Sequence, residues 1–183
     1  MVTRSGLVES IRSQWDQIQA RARTIRVPLP KSPTLLSTSV KIDKTTAVFS
    51  DTESRILYLA PAWDAFSNGA DDGRTNCAWA TDCIEPCLAH NSGMLALPSS
   101  SIARIWKTAL YWGARDLFDA LLDSELSAFV KRCAHNGTRP VVRLDGGSDL
   151  GLARQWVDRY DMIEFMDYTK SHKRAWDQLK PSN

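Results

Sequence analysis

The 183-residue chain lacks most of the features that announce a function. No stretch approaches the roughly 20 consecutive apolar residues of a membrane-spanning helix. The amino terminus has no apolar signal core, because Leu7-Val8 is interrupted at once by Glu9. A dominant charge is missing too. The chain has 23 Lys and Arg against 21 Asp and Glu, a net +2, which excludes a general electrostatic pull toward nucleic acid or anionic lipid. Internal repeats and low-complexity runs are absent. So are a Walker loop, a nucleophile elbow and a zinc-protease helix. What remains is expected to be a cytoplasmic globular protein, 43% hydrophobic and 24% charged. It is long enough to bury a core without a metal to hold it. Only the first 31 residues are basic, with six Arg/Lys against two acids, and a solvated helix face accounts for that as well as a partner does.

What is present is a concentration of sulfur. Cys77, Cys83 and Cys87 fall within eleven residues at a C-x5-C-x3-C spacing. In a reducing compartment such a trio points to metal or catalysis more than to disulfides. Three thiolates on one loop can hold three irons of a [4Fe–4S] cubane and leave the fourth open. With a fourth ligand, either His90, three residues after Cys87, or Cys133, the same loop can close a tetrahedral zinc site. Alternatively, the three are buried thiols, packing as small hydrophobes. Either metal requires the three sulfurs to converge. Cys133 continues the stripe Leu126, Phe129, Val130 and reads as core. His135 reads as the end of a helix, and His172, beside Lys170, Lys173 and Arg174, as surface.

Periodicity organises the rest. Leu7, Ile11, Trp15, Ile18 and Ala22 form one stripe and predict a helix over residues 6–23, closed off by Pro28 and Pro30. Residues 24–38 read as a linker or extended edge. Strands are predicted at Ser39–Ile42, Thr46–Phe49 and Ile56–Ala60, the first two as a hairpin. Turn signals at Asn68-Gly69 and Asp72-Gly73 lead into the cysteine loop, residues 77–90. Pro98 opens a helical region through Leu121, and Ser124 can cap a further helix ending at Asn136-Gly137. Then come a strand at Val141–Leu144, a helix over 151–160 capped by Ser148 or Asp149, a strand at Ile163–Met166 and a helix from Lys173. Alternating strands and helices predict neighbouring, largely parallel strands covered by helices. The division expected is 1–38, an N-terminal helix and linker, and 39–183, an α/β domain.

The run from Cys77 to Leu179 resembles a group of phage-encoded proteins of unknown function with a three-cysteine motif, themselves distantly similar to radical S-adenosylmethionine (SAM) enzymes. The likeness is carried by Cys77-Ala78-Trp79-Ala80, Cys83, Cys87-Leu88, Val141 to Asp149 and Phe165 to Lys170. It implies an α/β fold, a partial, open barrel with the cysteine loop after one strand and a Gly-Gly-acid motif after the next. It also implies a [4Fe–4S] cluster on Cys77, Cys83 and Cys87, with SAM held near Asp145, Gly146, Gly147, Asp149, Asp167 and Tyr168 in the host cytoplasm. The usual spacing is C-x3-C-x2-C, and this chain departs from it.

The residues also carry plainer readings. Gly146-Gly147 can free backbone N–H groups for an anion, or simply make a tight turn. Asp145 and Asp149 can bind a ligand or cap a helix. Tyr168 and Lys170 can touch a substrate or end a strand, and Arg143 can pair with an acid. Trp79, Trp106 and Trp112 read as core or pocket wall. The functional alternative is a non-catalytic binding or inhibitor protein on the same scaffold, acting on a host or phage partner, its cysteine loop held by zinc or by packing. A small-molecule partner and a homo-oligomer are both compatible with the chain; a nucleic-acid or membrane partner is not indicated.

Overall fold

The amphipathic stripe of the first twenty residues folds as two helices in the computed structural model, which describes residues 3–38, 51–87, 91 and 93–179. Helix α1 spans Arg4–Ser13 and α2 spans Trp15–Ala22. They break at Gln14, whose φ of −108° and ψ of 7° interrupt the single helix expected from periodicity. The stripe survives the break: Leu7, Ile11, Trp15, Ile18 and Ala22 are all buried. Thr3 starts α1 by accepting the Gly6 N–H on its hydroxyl at 3.2 Å.

The sheet comes next. Strand β1 is Leu36–Ser37, β2 is Thr52–Leu57, β3 is Arg139–Arg143 and β4 is Glu164–Phe165. Among the described residues the order is β1-β2-β3-β4 in one open sheet. β1 runs antiparallel to β2, and β2, β3 and β4 are mutually parallel. The three expected strands are therefore neighbours, and two parallel pairs join them. Their ends differ: the first lies earlier than Ile56–Ala60, and the last is shorter than Ile163–Met166. No barrel closes around this sheet among the described residues. The expected hairpin at 39–42 and 46–49 lies outside them.

Helices α3 (Pro98–Gly113) and α4 (Arg115–Asn136) follow β2 and return the chain to β3. Ser124 does not start a new helix; it sits inside α4, which runs on to the stop at Gly137. Leu110, Phe118, Leu121, Leu122, Leu126 and Cys133 are buried in one core with Ile11, Ile18, Leu57, Val142 and Leu144. Each fully buried Leu or Ile contributes about 2 kcal/mol. Cys133 is thus a core residue. At Gly113 a Cβ would stand 2.1 Å from the Ile18 carbonyl oxygen, so only glycine lets α2 and α3 cross this closely. Residues 151–160 are not a regular helix but a 3-10 turn, Leu152–Gln155, with further turns after it. Helix α5, His172–Leu179, closes the described chain. No described helix is long and apolar enough to cross a membrane.

β1 has only two ladder pairs, and side chains hold it instead. Glu125 of α4 accepts the Leu35 N–H on both oxygens at 3.0 Å and the Leu36 N–H at 2.8 Å. Lys107 of α3 donates to the Leu35 carbonyl at 2.7 Å and to the Ser37 hydroxyl at 3.1 Å. Burial pulls the Lys107 amine down to about 8, opposed by the Glu125 charge. Glu125 is itself pushed up by burial and drawn back by the two amides, Arg4 and Lys107. Removing one member of such a pair strands the other. Glu125→Ala is therefore expected to destabilise the fold by about 3 to 5 kcal/mol, with Glu125→Gln milder; urea unfolding of the two variants checks this.

Candidate functional site

Because β2 and β3 are parallel, the segments that follow them leave from the same rim of the sheet. The Gly146 N–H donates to the Leu57 carbonyl at 3.0 Å, so one of the amides expected to be free for a ligand is taken by the fold. A Cβ on Gly146 would lie 2.5 Å from Ile56 Cγ2 and 2.8 Å from the Leu57 oxygen; on Gly147 it would lie 2.7 Å from the Leu59 oxygen. The paired glycines are there to lay one backbone on another.

The two aspartates of this loop are equally committed. Asp145, 2% exposed, accepts Ser148 Oγ and Leu150 N–H on Oδ1 at 2.7 and 3.0 Å. Its Oδ2 accepts Gly151 and Leu152 N–H at 2.7 and 3.0 Å. The cap of the following turn is thus Asp145 and not Ser148 or Asp149. Asp149 accepts Thr169 Oγ1 and Arg174 Nη1 on Oδ1, both at 2.9 Å, and the Lys170 N–H on Oδ2 at 2.9 Å. It stitches the β3 loop to the segment after β4. All four carboxylate oxygens are satisfied inside the protein.

Asn76, fully buried, ties the cysteine loop into this rim. Its Nδ2 donates to the Ala60 carbonyl at 2.7 Å and to Thr108 Oγ1 at 3.3 Å, and its Oδ1 accepts Trp112 Nε1–H at 2.8 Å. Its backbone N–H donates to the Ala62 carbonyl and its carbonyl accepts the Asp149 N–H. Ala62 has a φ of +43°, an uncommon conformation for a residue with a Cβ. From that position the Ala62 amide helps hold the Cys77 thiol down against burial.

Cys77, Cys83 and Cys87 are all half-buried. Cys77 Sγ sits 3.8 Å from the Gly147 carbonyl. Burial pushes its thiol up; the Ala62 amide and Lys170 oppose that, and the Cys87 and Asp149 charges add to it. The Lys170 amine is raised mainly by its interaction with Cys83, against burial, with the Cys77 and Asp149 charges adding to it. Arg104, buried on α3, has its guanidinium lowered by burial, with Asp64 and Cys87 acting against that. The three sulfurs therefore share one electrostatic neighbourhood with two cations. They do not yet form a closed ligand set. Among the described residues no group of three His, Cys, Asp or Glu side chains is arranged to hold a metal ion. Successive turns explain the spacing: Ala80 N–H bonds to Cys77 O, Ile84 N–H to Thr81 O and Cys87 N–H to Ile84 O. His90 lies outside the described residues. Thiols are the donor type that zinc and iron–sulfur clusters take, but the described residues do not assemble them into such a set.

Asp167 and Tyr168 lie on the same rim, after β4. Asp167 Oδ1 accepts the Asp145 N–H at 2.8 Å and stands 3.8 Å from Arg143 Nε, the acid partner expected for that arginine. The Arg143 guanidinium lies 4.6 Å from the centre of the Tyr168 ring, which is 70% exposed. Trp106 is core, but Trp79 is 51% exposed, against its expected place in a wall. Sequence reasoning passed over Asn76, Arg104 and Thr108. A signal existed: Arg104, Thr108 and Trp112 recur every fourth residue on one face of α3, and all three reach the cysteine segment or its anchor.

Residues 35–183 match the family described as gene product 88. The chain belongs to the gene product 88 family, a phage-type family of unknown function. No curated protein and no solved structure matches it. In this gene product 88 protein the family match spans all four strands and the whole rim.

Two expectations follow from the rim. Asn76→Ala leaves the Ala60 carbonyl and Trp112 N–H without their partner, at about 1 to 3 kcal/mol for each buried group. The variant should be destabilised by roughly 3 kcal/mol, and hydrogen exchange should show faster opening at residues 77–87 than at β3. Burial is the main cause that pushes Asp167 from 3.8 up to about 6, with the Asp145 charge adding to it and the Asp145 and Leu144 amides and Arg143 opposing it. Between those values the folded chain binds more protons here than the unfolded one, so this contribution to stability is present at low pH and lost as pH rises through the window. Asp167→Asn should flatten the dependence of the urea midpoint between pH 4 and 6.

Proposed function

We propose that this gene product 88 protein is a metal–thiolate protein acting in the host cytoplasm, whose rim binds an iron–sulfur cluster through Cys77, Cys83 and Cys87. The observation that carries the reading is the pair of cations on the trio. Neutral thiols packed as small hydrophobes need no counter-charge, whereas thiolates on a metal do. Arg104 lies within electrostatic range of Cys87, and Lys170 within electrostatic range of Cys83 and Cys77. The fourth cysteine, Cys133, is buried in the core and is not a further ligand. Three protein ligands suit a cubane with one open iron better than a closed structural zinc site. A bound cluster would supply electron transfer or Lewis-acid chemistry at that open iron. The chain's own part is to hold the loop through Asn76 and to keep charge balanced around it.

The reading does not extend to SAM at Asp145 and Asp149. Their oxygens accept hydrogen bonds from Ser148, Leu150, Gly151, Leu152, Thr169, Lys170 and Arg174, which leaves little for a ligand's amino group or ribose. A second reading, a binding protein that uses this rim for a host or phage partner, is favoured by the exposed Trp79, Met166 and Tyr168.

Anaerobic purification with iron, sulfide and zinc analysis decides between these. The expected result is a brown protein with roughly four irons and four sulfides per chain, colourless when any of the three cysteines is changed to serine. A colourless protein with stoichiometric zinc would make the loop a zinc-stapled one. Failure of the reduced, refolded wild type to take up either metal would end the metal reading.

A further inference from the structure

Arg143 ends β3 with a guanidinium that the fold positions and leaves largely unspent. Val142 is buried in the core beneath the helices, so strand alternation turns Arg143 to the opposite face of the sheet. There its Nη2 donates to the Asp145 carbonyl at 3.4 Å, at the long end of a hydrogen bond. Its Nε stands 3.8 Å from Asp167 Oδ1, too far to donate, and is buried without a hydrogen-bond partner. That oxygen is already taken by the Asp145 N–H at 2.8 Å. Among the described residues Nη1 has no hydrogen-bond partner. The side chain is 26% exposed, so solvent reaches it. Its guanidinium carbon lies 4.6 Å from the centre of the Tyr168 ring, itself one of the most open aromatic rings on the rim.

We propose that Arg143 and Tyr168 form a binding subsite for a ring-bearing phosphate, the class that includes nucleotides. Arg143 donates to the phosphate oxygens, and Tyr168 offers its exposed ring to the ring of the ligand. A guanidinium fork matches phosphate oxygens in both geometry and charge. Leaving its donors unpaired while burial strips their water is costly, and an incoming oxyanion removes that cost. Open tyrosine rings stack on planar bases whatever their sequence. Asp167 works against the anion, because its carboxylate stands beside the same guanidinium. No cysteine takes part, so the subsite exists whether or not the trio holds a metal.

Calorimetric titration of the full chain with inorganic phosphate and with phenyl phosphate tests this. The wild type should bind both, phenyl phosphate about fivefold or more tightly than phosphate. Arg143→Gln should weaken both by at least about tenfold. Tyr168→Ala should leave inorganic phosphate near its wild-type affinity and abolish the advantage of phenyl phosphate. Asp167→Asn, which removes the opposing charge, should bind both more tightly. Circular dichroism and the thermal midpoint monitor the fold. Should Arg143→Gln fold poorly, the exposed Tyr168 and the near-isosteric Asp167→Asn still decide the matter. A wild type that binds neither anion at millimolar concentration would overturn the proposal. So would unchanged affinity in a folded Arg143→Gln, or a phenyl phosphate advantage that survives Tyr168→Ala.

Discussion

The rim depends on one close backbone approach. Gly146 and Gly147 lie against the carboxyl end of β2, where their missing Cβ atoms would fall 2.5 to 2.8 Å from Ile56, Leu57, Tyr58 and Leu59. That contact fixes the height at which the β3 loop leaves the sheet. It lets the Gly146 N–H extend the pairing of β3 with β2 beyond the ladder. It also sets the Gly147 carbonyl against Cys77 and brings Asp149 N–H to the Asn76 carbonyl. Substitution here would push apart the β2 exit and the β3 loop, and the cysteine segment is anchored to both.

The charges of the rim fall into two groups. Asp145 and Asp149 serve the fold: they satisfy backbone amides, two hydroxyls and one guanidinium that burial would otherwise leave unpaired. Arg104 and Lys170 instead approach thiols, weak hydrogen-bond partners that ask for no cation while protonated. A buried guanidinium is costly to desolvate. Asp64 and Cys87 both favour its charge. The carboxylates rigidify the rim. The Gly-Gly loop and its two aspartates are thus taken up by the fold itself.

Much of the fold was legible because it rests on periodicity. The stripe from Leu7 to Ala22, the apolar face of α3 and the run Leu126, Phe129, Cys133 declared their burial through 3.6-residue spacing, and Val141-Val142 declared a strand. The failures are local and have physical causes. Nothing in the stripe marks the break at Gln14, since the apolar residues continue across it. Ser124 resembles a cap, yet α4 passes through it because Leu121, Leu122 and Leu126 are buried on one face. Asp145 was read as a ligand group because a strand-end aspartate looks the same whether it binds a ligand or caps the turn that follows. Asn76 was invisible as a hub, since a hydrogen bond from residue 76 to residue 112 has no one-dimensional signature.

The same geometry joins the two functional readings instead of setting them against each other. Cys77 is turned to the Gly147 carbonyl, while Trp79, two residues on, is exposed. The Lys170 N–H is held by Asp149, while Tyr168, two residues before it, lies open on Arg143. Each segment is thus anchored within the rim and puts an aromatic ring toward solvent. A partner that seated Trp79 and Tyr168 would lie over the loop that carries the thiols. It would lower the local dielectric around them and strengthen every charge interaction there. On this scaffold an open sheet is an advantage over a closed barrel: its rim is accessible from the side, so a macromolecule as well as a small ligand can reach the three cysteines.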